Sequence, residues 1–168
     1  MNKEKWINTL TLAFSIALLP PIWAVVSPFF GETQGAVALI VAGFYVAAGN
    51  SIKNGLKISL GFLCGDLWAL IAVNVMAAMN FNPNVELYCT LFVMGGLAVI
   101  ISSLLEKWIM TPAWLCGWAI GLTIMGPLTP SECPSLLVQI GVAMLAGVWY
   151  VGVVGDIFQR ALVKLFNK

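Results

Sequence analysis

Histidine is absent from the 168 residues. That one absence removes imidazole metal ligands, imidazole proton shuttles and the Ser/His and Cys/His catalytic pairs. Charge is scarce as well: Asp, Glu, Lys and Arg make up 9% of the chain, against roughly 25% in soluble globular domains. With 61% of residues hydrophobic, a water-soluble fold of this size has too few polar side chains to cover itself. The formal net charge of +1 leaves no basic surface for nucleic acid. No CxxC pair and no glycine-rich phosphate loop occurs, so nothing marks an enzyme, a cofactor or a metal site.

What is there instead is a series of apolar stretches: Trp6–Phe30, Gly35–Gly49, Leu56–Met79, Val85–Leu105, Trp108–Met125 and Pro134–Gly155. A spanning helix needs roughly 17 to 25 residues. Four stretches fit that length, and the second and fifth are short. Brief connections rich in Asn, Pro and Gly separate them. The expected fold is an all-α membrane protein with six transmembrane helices over residues 1–155. A tail over 156–168 follows, in which Ile157, Phe158, Ala161, Leu162, Leu165 and Phe166 alternate at helical period with Asp156, Gln159, Arg160 and Lys164. Such a basic amphipathic helix suits the inner membrane interface.

All 8 basic residues fall on one side of this alternation: Lys3, Lys5, Lys53, Lys57, Lys107, Arg160, Lys164 and Lys168. Lys and Arg mark the cytoplasmic face, so both termini are expected there. Glu32, Glu86 and Glu132 fall on the other side. The first stretch is too long for a signal-peptide core and reads as a retained span. Cys64, Cys89 and Cys116 lie within spans, where a thiol behaves as a small apolar group. Cys133 lies near the outer surface, where the topology admits a disulfide with Cys89.

Three spans per half place the two halves in opposite orientations, so two inverted three-helix repeats are topologically available. The segment from Gly61 to Trp68 can be laid over Val142 to Trp149, with small residues recurring and Trp68 and Trp149 in register. The two short spans hold corresponding positions in the halves, a feature of repeat-built transporters that points to a central pathway. In the first span Pro20 and Pro21 remove backbone donors, which predicts a break or kink. Carbonyls freed at that depth need protein or cavity water. Small residues four apart, at Gly61/Gly65, Gly117/Gly121 and Gly43/Ala47, allow close helix approach in lipid. So many small faces on a short chain lead to the expectation of a homo-oligomer surrounded by membrane lipid.

Asp66 is the charge-capable residue deep in a span, about 15 Å from the start of its helix and hence near the middle of a core about 30 Å thick. An ionised carboxylate there costs roughly 2.5 to 3.5 kcal/mol on insertion scales. It must carry a proton, lie in a hydrated cavity or accept several hydrogen bonds. Ser59 shares its face, and Asn74 is rotated from it by roughly 80°; together they could form a polar stripe. Two readings stay open, a residue of a solute or ion path and a clamp between helices. Trp68, Trp114, Trp118 and Trp149 lie within spans, either as constrictions or as core filler. Asn50 and Gln139 sit near helix ends, as mouth or interfacial residues.

The segments Ile22-Trp23-Ala24, Phe44-Tyr45 with Ala47 to Gly49, Gly55 to Ser59, Gly65 with Trp68-Ala69, Pro112 with Gly117, and Pro134 to Leu136 resemble a family of small bacterial inner-membrane proteins known as domain of unknown function 1097. The resemblance covers most of the chain. It implies a bacterial inner-membrane location and a compact helical fold, and it supplies no substrate and no functional residues. The residues themselves favour a passive channel or facilitator for a small uncharged or weakly ionised solute. The solute-path candidates are Asp66, Ser59, Asn74, Trp68, Trp149, Pro20 and Pro21. The alternatives are a proton-coupled secondary transporter that uses Asp66 and a membrane scaffold that transports nothing.

Overall fold

The computed structural model describes residues 3–31 and 33–166, and side chains from residue 5 onward. Lys3, Glu32 and Lys168, which enter the charge argument above, lie outside the described residues or side chains. The order is α1 (Lys3–Val26), a 3-10 turn (Ser27–Phe30), α2 (Gly35–Ala47), α3 (Ile52–Ala78), α4 (Pro83–Leu104), α5 (Thr111–Met125) and α6 (Cys133–Ala146). The last continues as a π-helical stretch, Gly147–Val154, into α7 (Gly155–Phe166). Among the described residues there is no strand.

By length and composition four helical segments can cross a membrane: Lys5–Phe30, Ile52–Ala78, Pro83–Leu104 and Cys133–Phe166. The two short spans read from the sequence are α2, with 13 residues, and α5, with 15. Each is about 20 Å long at the helical rise, less than the hydrocarbon thickness of about 30 Å.

Local chemistry sets the ends. Asn82 caps α4: its side chain accepts from the Asn84 amide at 3.0 Å, Pro83 occupies the first turn, and Glu86 reaches back to accept from the Phe81 amide at 2.7 Å. α2 stops because Gly49 and Asn50 turn left-handed, with φ of 90° and 51°. Their amides close back onto Val46 at 3.1 Å and Tyr45 at 3.3 Å.

Of the break or kink predicted at Pro20 and Pro21, the break is not found, since α1 runs unbroken from Lys3 to Val26 with both prolines inside. Two missing amides free only the carbonyls of Ile16 and Ala17. The remaining ladder carries the helix past them.

The chain forms two compact units. The first comprises Met1–Gly55 and Ala143–Lys168. In it α2 lies along the π-helical stretch: a Cβ on Gly147 would sit 2.6 Å from the Ala38 carbonyl oxygen, and one on Gly152 would sit 2.8 Å from the Tyr45 ring. α7 folds against α1, with Phe14 and Phe158 ring centroids 6.2 Å apart and Gln159 Nε2 donating to the Asn8 carbonyl at 3.2 Å.

The second unit is Leu56–Val142. Here α3 and α5 meet backbone to backbone. A Cβ on Gly61 would come within 2.8 Å of Ala113 Cβ, one on Gly65 within 2.5 Å of the Trp118 nitrogen, and one on Gly117 within 2.9 Å of Phe62 Cα. The Gly61/Gly65 and Gly117/Gly121 pairs are therefore packing faces within the chain. The Gly43/Ala47 pair is not, because nothing lies within 4 Å of a Cβ built on Gly43. The Lys57 ammonium donates to the Glu106 carbonyl at 3.1 Å and ties the start of α3 to the connection before α5. All four cysteines are free, with Cys89 exposed and Cys133 buried, so the Cys89–Cys133 disulfide admitted by the topology is not formed. The Cys133 thiol instead lies 3.4 Å from the Thr129 carbonyl oxygen.

Candidate functional site

Asp66 sits where the sequence places it, deep in α3 and 1% exposed. Its carboxylate occupies space left by two glycines. A Cβ on Gly121 of α5 would lie 3.0 Å from Oδ1, and one on Gly141 of α6 would lie 3.8 Å from Oδ2. Oδ1 has no hydrogen-bond partner among the described residues. Larger residues at those two positions would fill the space that the carboxylate uses.

Ser59 is buried on the same helix face, as its seven-residue spacing requires. Asn74 does not extend the stripe: it is exposed and donates to the Leu70 carbonyl of its own helix at 2.8 Å. Its rotation of roughly 80° from Asp66 at 3.6 residues per turn is enough to turn it outward. Trp68 Nε1 donates to the Met94 carbonyl at 3.1 Å, and its ring stands edge-on to Trp114 at 5.6 Å. The indole nitrogens of Trp114 and Trp118 and the Thr90 hydroxyl are buried without partners in this unit.

Trp149, in register with Trp68 by sequence, belongs to the first unit. Its ring packs on Gly55, where a Cβ would touch it at 3.4 Å. Pro20 and Pro21 are in that unit too. The site residues proposed from the sequence are thus divided between units, with Ser59, Asp66, Trp68 and the outward-facing Asn74 in the second and Pro20, Pro21 and Trp149 in the first.

A second constellation was not read from the sequence. In the first unit α1, α2 and the α6–α7 junction enclose a cavity of about 140 Å³, lined by Leu12, Ser15, Asn50, Gly152, Asp156 and Gln159 among others. That is room for several waters or one small solute. A shallower groove at the same end adds Asn8, Arg160 and Lys164. Asp156 is 7% exposed, although its sequence period puts it on the polar face of the tail. Arg160 covers it with Nε at 3.0 Å from Oδ1 and a terminal nitrogen at 2.9 Å from Oδ2. The i,i+4 spacing of these two is the one sequence signal of the pair. Asn50 Oδ1 is buried without a partner among the described residues. Ser15 donates to the Thr11 carbonyl at 3.0 Å.

Four helical segments long and apolar enough to cross a bilayer mark the chain as a helical membrane protein. The chain belongs to the family described as "Protein of unknown function (DUF1097)", which matches residues 13–159. No curated protein and no solved structure matches it.

Proposed function

We propose that the protein is a facilitator for a small uncharged or weakly ionised solute in a bacterial inner membrane, with both termini in the cytoplasm. The observation that carries this reading is the cavity of about 140 Å³ in the first unit, walled mainly by aliphatic side chains and polar at one end. Such a mixed lining is what small-molecule sites use, apolar walls for burial and a few polar atoms for orientation. Flux through proteoliposomes tests it. Wild-type vesicles should equilibrate small solutes faster than empty ones, and Gly43→Leu, whose side chain enters open space beside the cavity, should slow them with folding intact. Wild-type vesicles no faster than empty ones for a panel of small neutral and weakly basic solutes would remove the proposal and favour a scaffold.

A second reading rests on Asp66. A fully buried carboxylate with an unpartnered oxygen is suited to cycling a proton in a coupled transporter. Accumulation of solute driven by a pH gradient would select this reading, and mere equilibration would select the first.

The same proposal takes α1 to α6 as six spans built from two inverted repeats and assembled as a homo-oligomer. The grouping of helices supports the repeat. The first unit joins α1 and α2 to the end of α6, the π-helical stretch and α7, and the second joins α3 from Leu56 onward to α4, α5 and α6 as far as Val142. An exchange of third helices between the halves gives such a grouping, carried through for most of α3 and for the second part of the sixth span. An inverted repeat puts the starts of α1 and α4 on opposite faces. A cysteine at Asn82 in a cysteine-free background should label from outside, while a reporter after Lys168 reports cytoplasm; a shared side would refute the topology.

A further inference from the structure

α7 carries two exposed stripes of different chemistry. Ile157, Ala161 and Leu165 follow at four-residue spacing and form an apolar one. About 100° around the same helix run Arg160 and Lys164, also exposed. The helical run Cys133–Phe166 has 34 residues, about 50 Å at the helical rise against a hydrocarbon core of about 30 Å. Its charged side chains are Asp156, Arg160 and Lys164, all in α7, so α7 is the part that leaves the core. An apolar stripe beside a cationic one fits the depth where acyl chains meet headgroups.

The shallow groove at this end, which α7 forms with Asn8 and Asn50, is rich in donors that the fold leaves unused. Arg160 engages Asp156 through Nε and one terminal nitrogen. A guanidinium has five N–H groups, so its outer edge stays free on a side chain that is 67% exposed. The carboxylate beneath it is buried and already neutralised. Lys164 adds three donors and has no acid paired with it among the described residues. The Gln159 amide nitrogen gives one hydrogen to the Asn8 carbonyl and keeps the other. Lys53, exposed in the first turn of α3, stands three residues after Asn50. Positive charge is therefore in excess here among the described residues.

Surface cations alone would attract any anion. The apolar stripe beside them selects, because a soluble anion or an acidic peptide covers only the charge, whereas a lipid covers both stripes with one molecule. We propose that this groove docks the headgroup of an anionic phospholipid, its phosphodiester accepting from Lys164, Gln159 and the outer edge of Arg160 while its acyl chains lie along Ile157, Ala161 and Leu165. The site goes beyond the facilitator reading and does not depend on transport.

Native mass spectrometry of the full chain in dodecylmaltoside micelles, titrated with phosphatidylglycerol or with phosphatidylcholine of the same acyl chains, tests it. Phosphatidylglycerol should bind at least about tenfold more tightly, because the choline cation is repelled by Arg160 and Lys164. Lys164→Gln should weaken phosphatidylglycerol about fivefold, the equivalent of the roughly 1 kcal/mol that one cation contributes at an anionic membrane surface. Lys53→Gln should weaken it by a smaller factor. Both lysines are exposed, so these variants should fold as the wild type does. Lys107→Gln, which removes the same charge from the second unit, should leave binding unchanged. Glycerol phosphate, with the anion but no acyl chain, should not displace the lipid even in large excess.

Equal binding of the two lipids would overturn the charge argument. An equal loss in Lys107→Gln and Lys164→Gln would mean attraction to net charge alone and remove the groove. Displacement by glycerol phosphate would reassign the groove to a soluble anion and remove the lipid.

Discussion

Gly65→Ala is the sharpest test of how the second unit holds together. The added methyl would lie 2.5 Å from the Trp118 nitrogen and nearer still to the Trp114 carbonyl oxygen, whereas ordinary contact for a Cβ begins at 3.4 Å. These obstacles are backbone atoms of α5, which cannot rotate out of the way as a side chain would. The helix must retreat by about an ångström, opening the contacts at Gly61 and Gly117 with it. Overpacking of this kind costs about 1 to 3 kcal/mol, and the strain should fall at the upper end because backbone meets backbone. Against it stands a gain of about 1 kcal/mol from replacing a helical glycine with alanine. The net expectation is a loss of about 1 to 2 kcal/mol. Lipid gives helices no hydrophobic drive to re-associate, so packing is what is lost. Reversible unfolding in mixed SDS and dodecylmaltoside micelles, followed by Trp fluorescence, measures it. Gly43→Ala is the control: nothing lies within 4 Å of its methyl, so the same propensity gain should appear without the clash. If Gly65→Ala proves as stable as the wild type or more so, the close approach of α3 and α5 is wrong.

Asp66→Asn separates the two readings of the buried carboxylate, because it keeps the size and most hydrogen-bonding capacity and removes the titratable proton. The proton-coupled reading expects a folded protein whose solute flux loses its pH dependence; identical flux of wild type and variant across pH values would make Asp66 a clamp. Glu132 offers a pH test outside the spans, where the Thr129 hydroxyl at 2.7 Å and amide at 3.1 Å hold its carboxyl below the usual range. A carboxylate depressed in the fold favours it above the unfolded-state value, and that contribution is lost as pH falls through the folded one. Thr129→Val should therefore move the Glu132 titration upward in carbon-detected NMR, and an unmoved titration would refute the bond.

Much of this architecture follows from the order of residues alone. Runs of apolar residues too long for anything but helices, ended by Asn, Pro and Gly, are enough to place α1 to α6 within a few residues. The reason is local: Asn82 and Pro83 cap α4, and Gly49 with Asn50 takes the positive φ that ends α2, all without help from distant parts of the chain. The shortness of α2 and α5 and the depth of Asp66 were legible for the same reason. The fate of Asn74 was half legible, since its rotation away from Asp66 is a property of the helix. Only the tertiary structure decided that nothing lies over Asn74 to keep it buried. It also decided the environment of Asp156, which a continuous helical wheel puts on the polar face of the tail. The π-helical stretch Gly147–Val154 lies just before it and adds residues per turn. That shifts α7 relative to α6 but leaves Asp156, Gln159 and Arg160 on one face of α7; Asp156 is buried because the first turn of that face lines a cavity with Leu12, Ser15 and Leu39 of α1 and α2. Which glycines face a neighbour and which face open space was likewise settled by packing, because Gly43 and Gly65 look alike along the chain and differ only in what stands opposite.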